Sequence, residues 1–331
     1  MKLFNTSRNN DVKHPFSVIV GKEIADHIRS WRFIILAAII LLTCFGALYT
    51  SLTNLGKVIK PTDPEDAFFF LRLFTASDGT LPSFFVFISF LGPLLGISLG
   101  FDAINTEHNR GTLSRVLAQP VHRDYLINAK FVAALTVISV MFFALGFLVI
   151  GFGLIAIGIP PTPEEFLRIV IFILLSICYV AFWLNLAILF SVQFRQAATS
   201  ALACIAVWLF FSVFYNMIVA LVEKSMMPSS EMAMAMASEY RIFSIQKFIF
   251  NLMRVAPSQL FSDASTTLLM PNVRILGPFM MEQTQGAIPS PLPLGQSLLI
   301  VWAQLTALVA GTVTWFGLSY LSFMRREIRS R

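Results

Sequence analysis

Charge is scarce in this chain. Only 13% of its 331 residues are Asp, Glu, Lys or Arg, while 56% are hydrophobic. A soluble globular chain carries roughly 25% charged residues, so there is too little charge here to cover a water-facing surface. A disordered chain is excluded as well, because disorder needs low hydrophobicity and high net charge. Cysteine is equally sparse. Cys44, Cys178 and Cys204 all lie in apolar runs, which excludes a disulfide scaffold and makes each a small packing residue. No G-x-x-x-x-G-K-[ST] stretch occurs, so the chain has no P-loop with which to bind ATP itself. His14, His27, His108 and His122 show no metal-ligand spacing, and neither a nucleophile elbow nor an H-E-x-x-H site is present.

Long apolar runs are what the chain has instead. A span needs about 20 mostly apolar residues to cross roughly 30 Å of hydrocarbon. Segments 33–53, 82–101, 131–157, 169–194, 199–222 and 297–323 meet that requirement, and none contains Asp, Glu, Lys or Arg. The expected fold is an all-α membrane protein with six transmembrane helices in one domain over 1–331. The first run follows about 32 residues and exceeds a signal-peptide core, so it is expected to be retained. Uncharged spans argue against an ion-coupled transporter, which usually needs Asp, Glu or Lys at depth. Sodium sites built from backbone carbonyls keep that alternative open. Asn185, Asn216 and Gln304 read as hydrogen-bonding groups between helices rather than as intramembrane catalysts.

Orientation follows from Lys and Arg. With the N-terminus inside, segments 1–32, 102–123, 195–198 and 324–331 hold fourteen Lys/Arg over about 66 residues. The other side, 54–81, 158–167 and 223–296, holds eight over about 112. The density favours cytoplasmic N- and C-termini. The net charge of +6 belongs to this asymmetry rather than to nucleic acid, for which no motif is present.

Between the spans, 15–31 reads as an interfacial helix. Phe16, Val20, Ile24, Ile28 and Trp31 are expected on its apolar face, with Lys22, Glu23, Asp26 and Arg29 on the other. Gly92, Gly96 and Gly100 share one face of the second span, so another backbone can approach closely, within the subunit or across an interface. Pro93 is expected to bend that helix. The loop between spans two and three has a small predicted helix over 111–117, closed by Pro120, with Leu113, Val116 and Leu117 on one side. Flanking charges suit it to a groove on a partner, or make it an ordinary solvated loop. In the long loop 223–296 an amphipathic helix is predicted near 239–254, after which prolines at 257, 271, 278, 289, 291 and 293 are expected to break up the rest. Nine of the 13 methionines lie in this loop. Thioethers can hold Cu(I), but with no Cys or His nearby they read as gap-fillers and no metal site is expected.

The stretch Glu107-x-x-Arg110-Gly111-Thr112-Leu113, then Leu117-Ala118-Gln119-Pro120-Val121-x-Arg123 and Lys130, resembles the cytoplasmic loop of ABC-2 type transporter permeases. Ala118-Gln119 departs mildly from the Leu-Ser or Ser-Arg more usual there. Val255-Ala256-Pro257-Ser258-Gln259-Leu260-Phe261 resembles a motif of the branch related to copper-enzyme maturation and gliding-type permeases. Six spans, an N-terminal amphipathic helix and a large loop between spans five and six fit the same family, so the resemblance covers nearly the whole chain.

This resemblance implies a permease subunit of an ABC-2, exporter-type transporter in the plasma (inner) membrane. Loop 102–123 would hold the coupling helix, with Glu107, Arg110, Gly111, Thr112, Leu113, Leu117 and Arg123 meeting a separate ABC ATPase. Two ATPase copies and a second permease subunit, an identical one, would complete the complex. ATP and Mg²⁺ would sit on the ATPase, and this chain would hold no cofactor. Spans two and five would line the path through Phe84, Phe87, Phe90, Trp208, Phe211, Tyr215 and Asn216, although such aromatics also serve as lipid-facing or core residues. Part of loop 223–296 is expected to fold back into the outer leaflet. The rival readings are an ATPase-coupled scaffold acting on an extracytoplasmic protein, an ion-coupled secondary transporter and, more remotely, an intramembrane enzyme.

Overall fold

A computed structural model describes residues 14–58, 68–77, 81–109, 111, 122–158, 160–227, 239–274, 276 and 291–325. The described residues form helices and no strands. Six helical stretches are long and apolar enough to cross a membrane. They comprise α2 (Trp31–Val58), α4 (Phe84–Gly100), α6 (Arg123–Ile157), α7 (Pro163–Gln193), the pair α8 (Ala197–Leu209) and α9 (Tyr215–Met226), and α12 (Leu294–Arg325). Every span except α4 is longer than its charge-free run. In α6 the helix begins eight residues before the predicted run and thereby takes Lys130 into the bundle. Between α8 and α9 the helix widens into one π-helical stretch, Phe210–Phe214.

The remaining helices cap the bundle. α1 (Pro15–Arg29) and α5 (Asn105–Asn109) lie at the end where α6 begins and α12 finishes, and α3 (Phe69–Thr75), α10 (Glu239–Met253) and α11 (Pro257–Leu269) lie at the opposite end. The expectation that prolines break up the chain after residue 254 fails at Pro257. That proline is at the first helical position of α11, where its missing N–H costs nothing and its fixed φ favours the helix.

α7 is the central helix. Buried residues make up 72% of its apolar window, against 11% for the α8–α9 span, whose wall is left to lipid or another subunit. The glycines of α4 explain the close α4–α7 contact. A Cβ on Gly96 would lie 2.6 Å from the Val180 carbonyl, and one on Gly100 would lie 2.8 Å from that of Leu184. Gly92 sits against the Val180 side chain. All three glycines therefore face α7 within the subunit. Because the obstacle at Gly96 is backbone, it cannot rotate away. Gly96→Val is expected to cost about 1–3 kcal/mol through overpacking, read as a lower unfolding temperature in nanodiscs. Gly151→Val, where a Cβ meets nothing within 4 Å, should change it far less.

Polar residues in the spans have separate fates. Asn185 is fully buried and donates to the Thr312 carbonyl at 3.1 Å, joining α7 to α12. Gln304 is buried and, with its amide oxygen toward Arg254, accepts from that guanidinium at 2.8 Å. Asn216 is exposed and bonds only to the Ser212 carbonyl of its own helix.

Candidate functional site

The end of the bundle that holds α1 and α5 is tied together by charge. Lys130 is buried in α6 and reaches Glu23 of α1 at 3.0 Å and Glu107 of α5 at 2.8 Å. Lys22 adds a second ammonium 2.9 Å from Glu23 and also meets Asp26 at 3.1 Å. Arg32, at the start of α2, pairs with Asp102 just after α4 at 2.7 Å and lies over the Phe101 ring. Two backbone N–H groups, those of Ile104 and Asn105, donate to Ser191 at the end of α7. Asn109 donates to the Arg195 carbonyl at 2.9 Å. Arg123 donates to the Phe323 carbonyl at 2.6 Å and stacks over that ring, fastening the start of α6 to the end of α12. The chain entering and leaving loop 102–123 is thus held by α1, α6, α7 and α12. A push on the loop has several helices to act through.

Glu23 departs from its expected place. Helical periodicity puts it on the polar face of α1, yet it is 6% exposed, while Ile28 and Trp31 are 51% and 77% exposed. The ion pair with Lys130 turns that side of α1 inward. Apolar side chains at Ile28 and Trp31 can face lipid instead, as an interfacial segment permits.

Of the residues matched to the coupling motif, Glu107, Gly111 and Arg123 lie within the described structure. Arg110, Thr112, Leu113 and Leu117, with the small helix predicted over 111–117, fall outside the described residues apart from Gly111 itself. Gly111 has φ +67, the left-handed region that favours glycine, with nothing within 4 Å of a Cβ position. Its constraint is conformational, not steric.

The aromatics proposed for a path divide. Phe84 is 4% exposed and packs edge-on against Phe74 and Phe172. Trp208 is 7% exposed. Within the single chain these two are core residues, contrary to the expectation of exposed path-lining side chains. Phe90 is exposed and meets Trp208 edge-on at 5.0 Å. Phe87 and Phe211 are half-buried, and Tyr215 donates to the Leu252 carbonyl at 2.6 Å, anchoring α9 to α10.

At the opposite end stands a network that the sequence reading did not single out. Arg168 of α7 is fully buried. It donates to the Leu268 carbonyl at 3.0 Å, to Ser297 Oγ at 3.2 Å and to the Leu292 carbonyl, and pairs with Glu164 at 3.0 Å. Glu164 also accepts from the Leu294 N–H, and Glu165 accepts from the Phe70 N–H while closing a capping box with Thr162. The pattern Thr162-Pro163-Glu164-Glu165 with Arg168 four residues after Glu164 was the available signal. It is an ordinary helix start in sequence, and only the fold brings α3, α11 and α12 to it. In the 255–261 motif, Phe261 is buried and stacks on Tyr179 at 4.5 Å. No cluster of metal-ligating residues occurs among those described.

Titration of the α1 anchor has a definite sign. Burial disfavours the charged form of Glu23, but Lys130 and Lys22 outweigh it and hold the carboxyl below its usual 4.5. Burial keeps His27 below its usual 6.5. For Lys22, burial acts to lower the value, and Glu23 with Asp26 raises it above 10.5. Depressed values give stability that is complete above the ordinary pKa and lost as pH falls. The His27 share therefore goes first, below 6.5, and the Glu23 share below 4.5. The Lys22 share is complete below 10.5 and is lost only as pH rises through the raised value. Amide exchange of α1, corrected for intrinsic rates, is expected to rise between about pH 8 and about pH 5. Unchanged protection over that window would show that neutral His27 does not hold the helix.

Two comparisons bear on this arrangement. A family model described as ABC-2 family transporter protein matches residues 17–328. The "Probable ABC transporter permease protein NosY" of Pseudomonas aeruginosa is 25% identical over 205 residues, covering 60% of this chain and 67% of that protein. The matched region takes in α1, all six spans and the charge-linked end. This chain belongs to the ABC-2 family of transporter proteins.

Proposed function

We propose that this multi-pass membrane protein, as the permease subunit of an ABC transporter, receives ATP-driven motion from a separate ATPase docked on loop 102–123. Two ATPase copies bind ATP and Mg²⁺, and two identical permease chains form the path. The carrying observation is the fastening of both ends of that loop, through Lys130, Ser191 and Arg123, to helices that cross the whole bundle. Motion at such a loop biases the bundle between two states, which is what nucleotide-driven alternation requires. The orientation follows the Lys/Arg asymmetry, with both termini cytoplasmic. Outward movement of an amphiphilic cargo suits an apolar wall such as that of α8–α9.

Co-purification from the native host tests this reading. The wild-type chain is expected to retain a soluble P-loop ATPase. Gly111→Leu, which forces a left-handed backbone on a residue that disfavours it by about 1–2 kcal/mol, should lose most of it. Failure of any ATPase to co-purify, with or without nucleotide, would sink the docking claim. A scaffold role is the second reading. It is favoured by the Arg168 network, which orders an elaborate cap at the opposite end. ATP turnover without cargo movement in vesicles would select it.

A further inference from the structure

The α1 end of the bundle contains a cavity of about 540 Å³, within the range of small-ligand sites. It opens between α1, the start of α2, the end of α4 and α6. Leu99, Ala103 and Ile188 supply part of its wall, so it sits where the apolar bundle gives way to charge. Its charged lining is mixed: Lys22, Arg32 and Lys130 against Glu23, Asp26, Asp102 and Glu107. Burial keeps His27 below its usual 6.5, hence neutral above that pH, and the lining carries one more negative charge than positive. Lys130 is consumed by its two carboxylates. At the rim, Lys22 and Arg32 are 60% and 50% exposed; Lys22 meets one oxygen each of Glu23 and Asp26, and Arg32 one oxygen of Asp102. The second oxygens of those two aspartates have no partner among the described residues.

We propose that this cavity binds a zwitterion carrying a primary ammonium and a phosphate, as in the phosphoethanolamine headgroup of a membrane lipid. The ammonium would donate to Asp26 and Asp102, and the phosphate would lie against Lys22 and Arg32. Alternating charges at the rim fit both ends of such a group. The net negative lining rejects a purely anionic headgroup, and a trimethylated ammonium has no N–H to donate. Trp31 is 77% exposed beside Arg32, and Ile34 and Ile35 follow it on the exposed side of α2, giving a lipid both an interfacial ring and an apolar wall for its chains.

The test uses the full chain in nanodiscs of phosphatidylcholine. Phosphatidylethanolamine, phosphatidylcholine and phosphatidylglycerol with the same acyl chains compete for retention by the protein, read by native mass spectrometry. Two charge-assisted hydrogen bonds should give the ethanolamine lipid about tenfold preference over its choline analogue. Asp102→Asn should abolish that preference. Ala103→Phe, which fills the cavity and leaves every charge in place, should abolish it too and carries the test if Asp102→Asn does not fold. Soluble glycerophosphoethanolamine separates the sources. If it displaces the lipid at equal concentration, the ligand is a free zwitterion; if it does not, the ligand is lipid. Equal retention of all three lipids, a preference for phosphatidylglycerol, or an ethanolamine preference that survives Ala103→Phe would overturn the site.

Discussion

Lys130→Met is expected to destabilise the protein by about 3–5 kcal/mol, because it removes the buried ammonium that bridges two carboxylates and leaves Glu23 to the exposed Lys22. Glu23 and Glu107 would then face each other across the vacated position, with side chains 7% and 15% exposed. The loss should be local in origin. α1 should gain amide exchange first, since Glu23 is its one buried residue and the pair with Lys130 is what turns it inward. A double variant, Lys130→Met with Glu23→Gln, removes one of the two carboxylates that the ammonium bridged. It is expected to be more stable than Lys130→Met alone, with a coupling energy beyond the ordinary additivity error of about 0.5 kcal/mol. Unfolding temperatures of the single and double variants in nanodiscs, with exchange at residues 15–29, decide it. Strict additivity, or an α1 whose exchange does not change, would show that the triad neither couples nor anchors. ATPase retention should fall together with the α1 anchor if Glu107 serves mainly to hold loop 102–123 to the bundle. A normal complex on a loosened α1 would place Glu107's role elsewhere.

Arg168→Met should have an effect of similar size at the other end, about 3–5 kcal/mol. The guanidinium has five donors in a fixed fork, and here it serves two carbonyls, a hydroxyl and a carboxylate on three separate segments. Methionine keeps much of the volume and none of the donors, so the Leu268 and Leu292 carbonyls would be buried unpaired. Arg168→Lys keeps the charge but presents a point donor rather than a fork. It should recover less than half of the loss. Exchange in α11, residues 257–269, is the specific readout, because α11 is joined to α7 through the Leu268 carbonyl and the Phe261–Tyr179 stack. If α11 stays protected in Arg168→Met, the stack alone holds it and the network is dispensable. The two substitutions sit at opposite ends of the bundle, so their effects should add.

The fold class was fully legible in the sequence. Six runs free of charge, each long enough to cross a bilayer, leave the backbone no alternative to helix, since lipid offers no partners for its N–H and C=O groups. The amphipathic starts of α1 and α10 were legible for the same reason, through a 3.6-residue period. The glycine face of α4 announced a close approach but not its partner. Either α7 or another subunit would satisfy the pattern, and the Val180 and Leu184 carbonyls against Gly96 and Gly100 settle it in favour of α7.

Other features required the tertiary structure. A charged residue on an amphipathic helix reads as solvated, because periodicity records only its own helix. Glu23 is buried because Lys130, 107 positions later, lies opposite it. Arg168 gathers acceptors from 100 to 129 positions away, a distance over which no local pattern carries information. Phe84 and Trp208 looked like exposed aromatics of a path, yet exposure depends on which neighbours a helix acquires. The sequence by itself determined how many times this chain crosses the membrane and which segment resembles a coupling loop. The tertiary structure decided which charges are buried and paired, because pairing at depth is set by where distant helices meet.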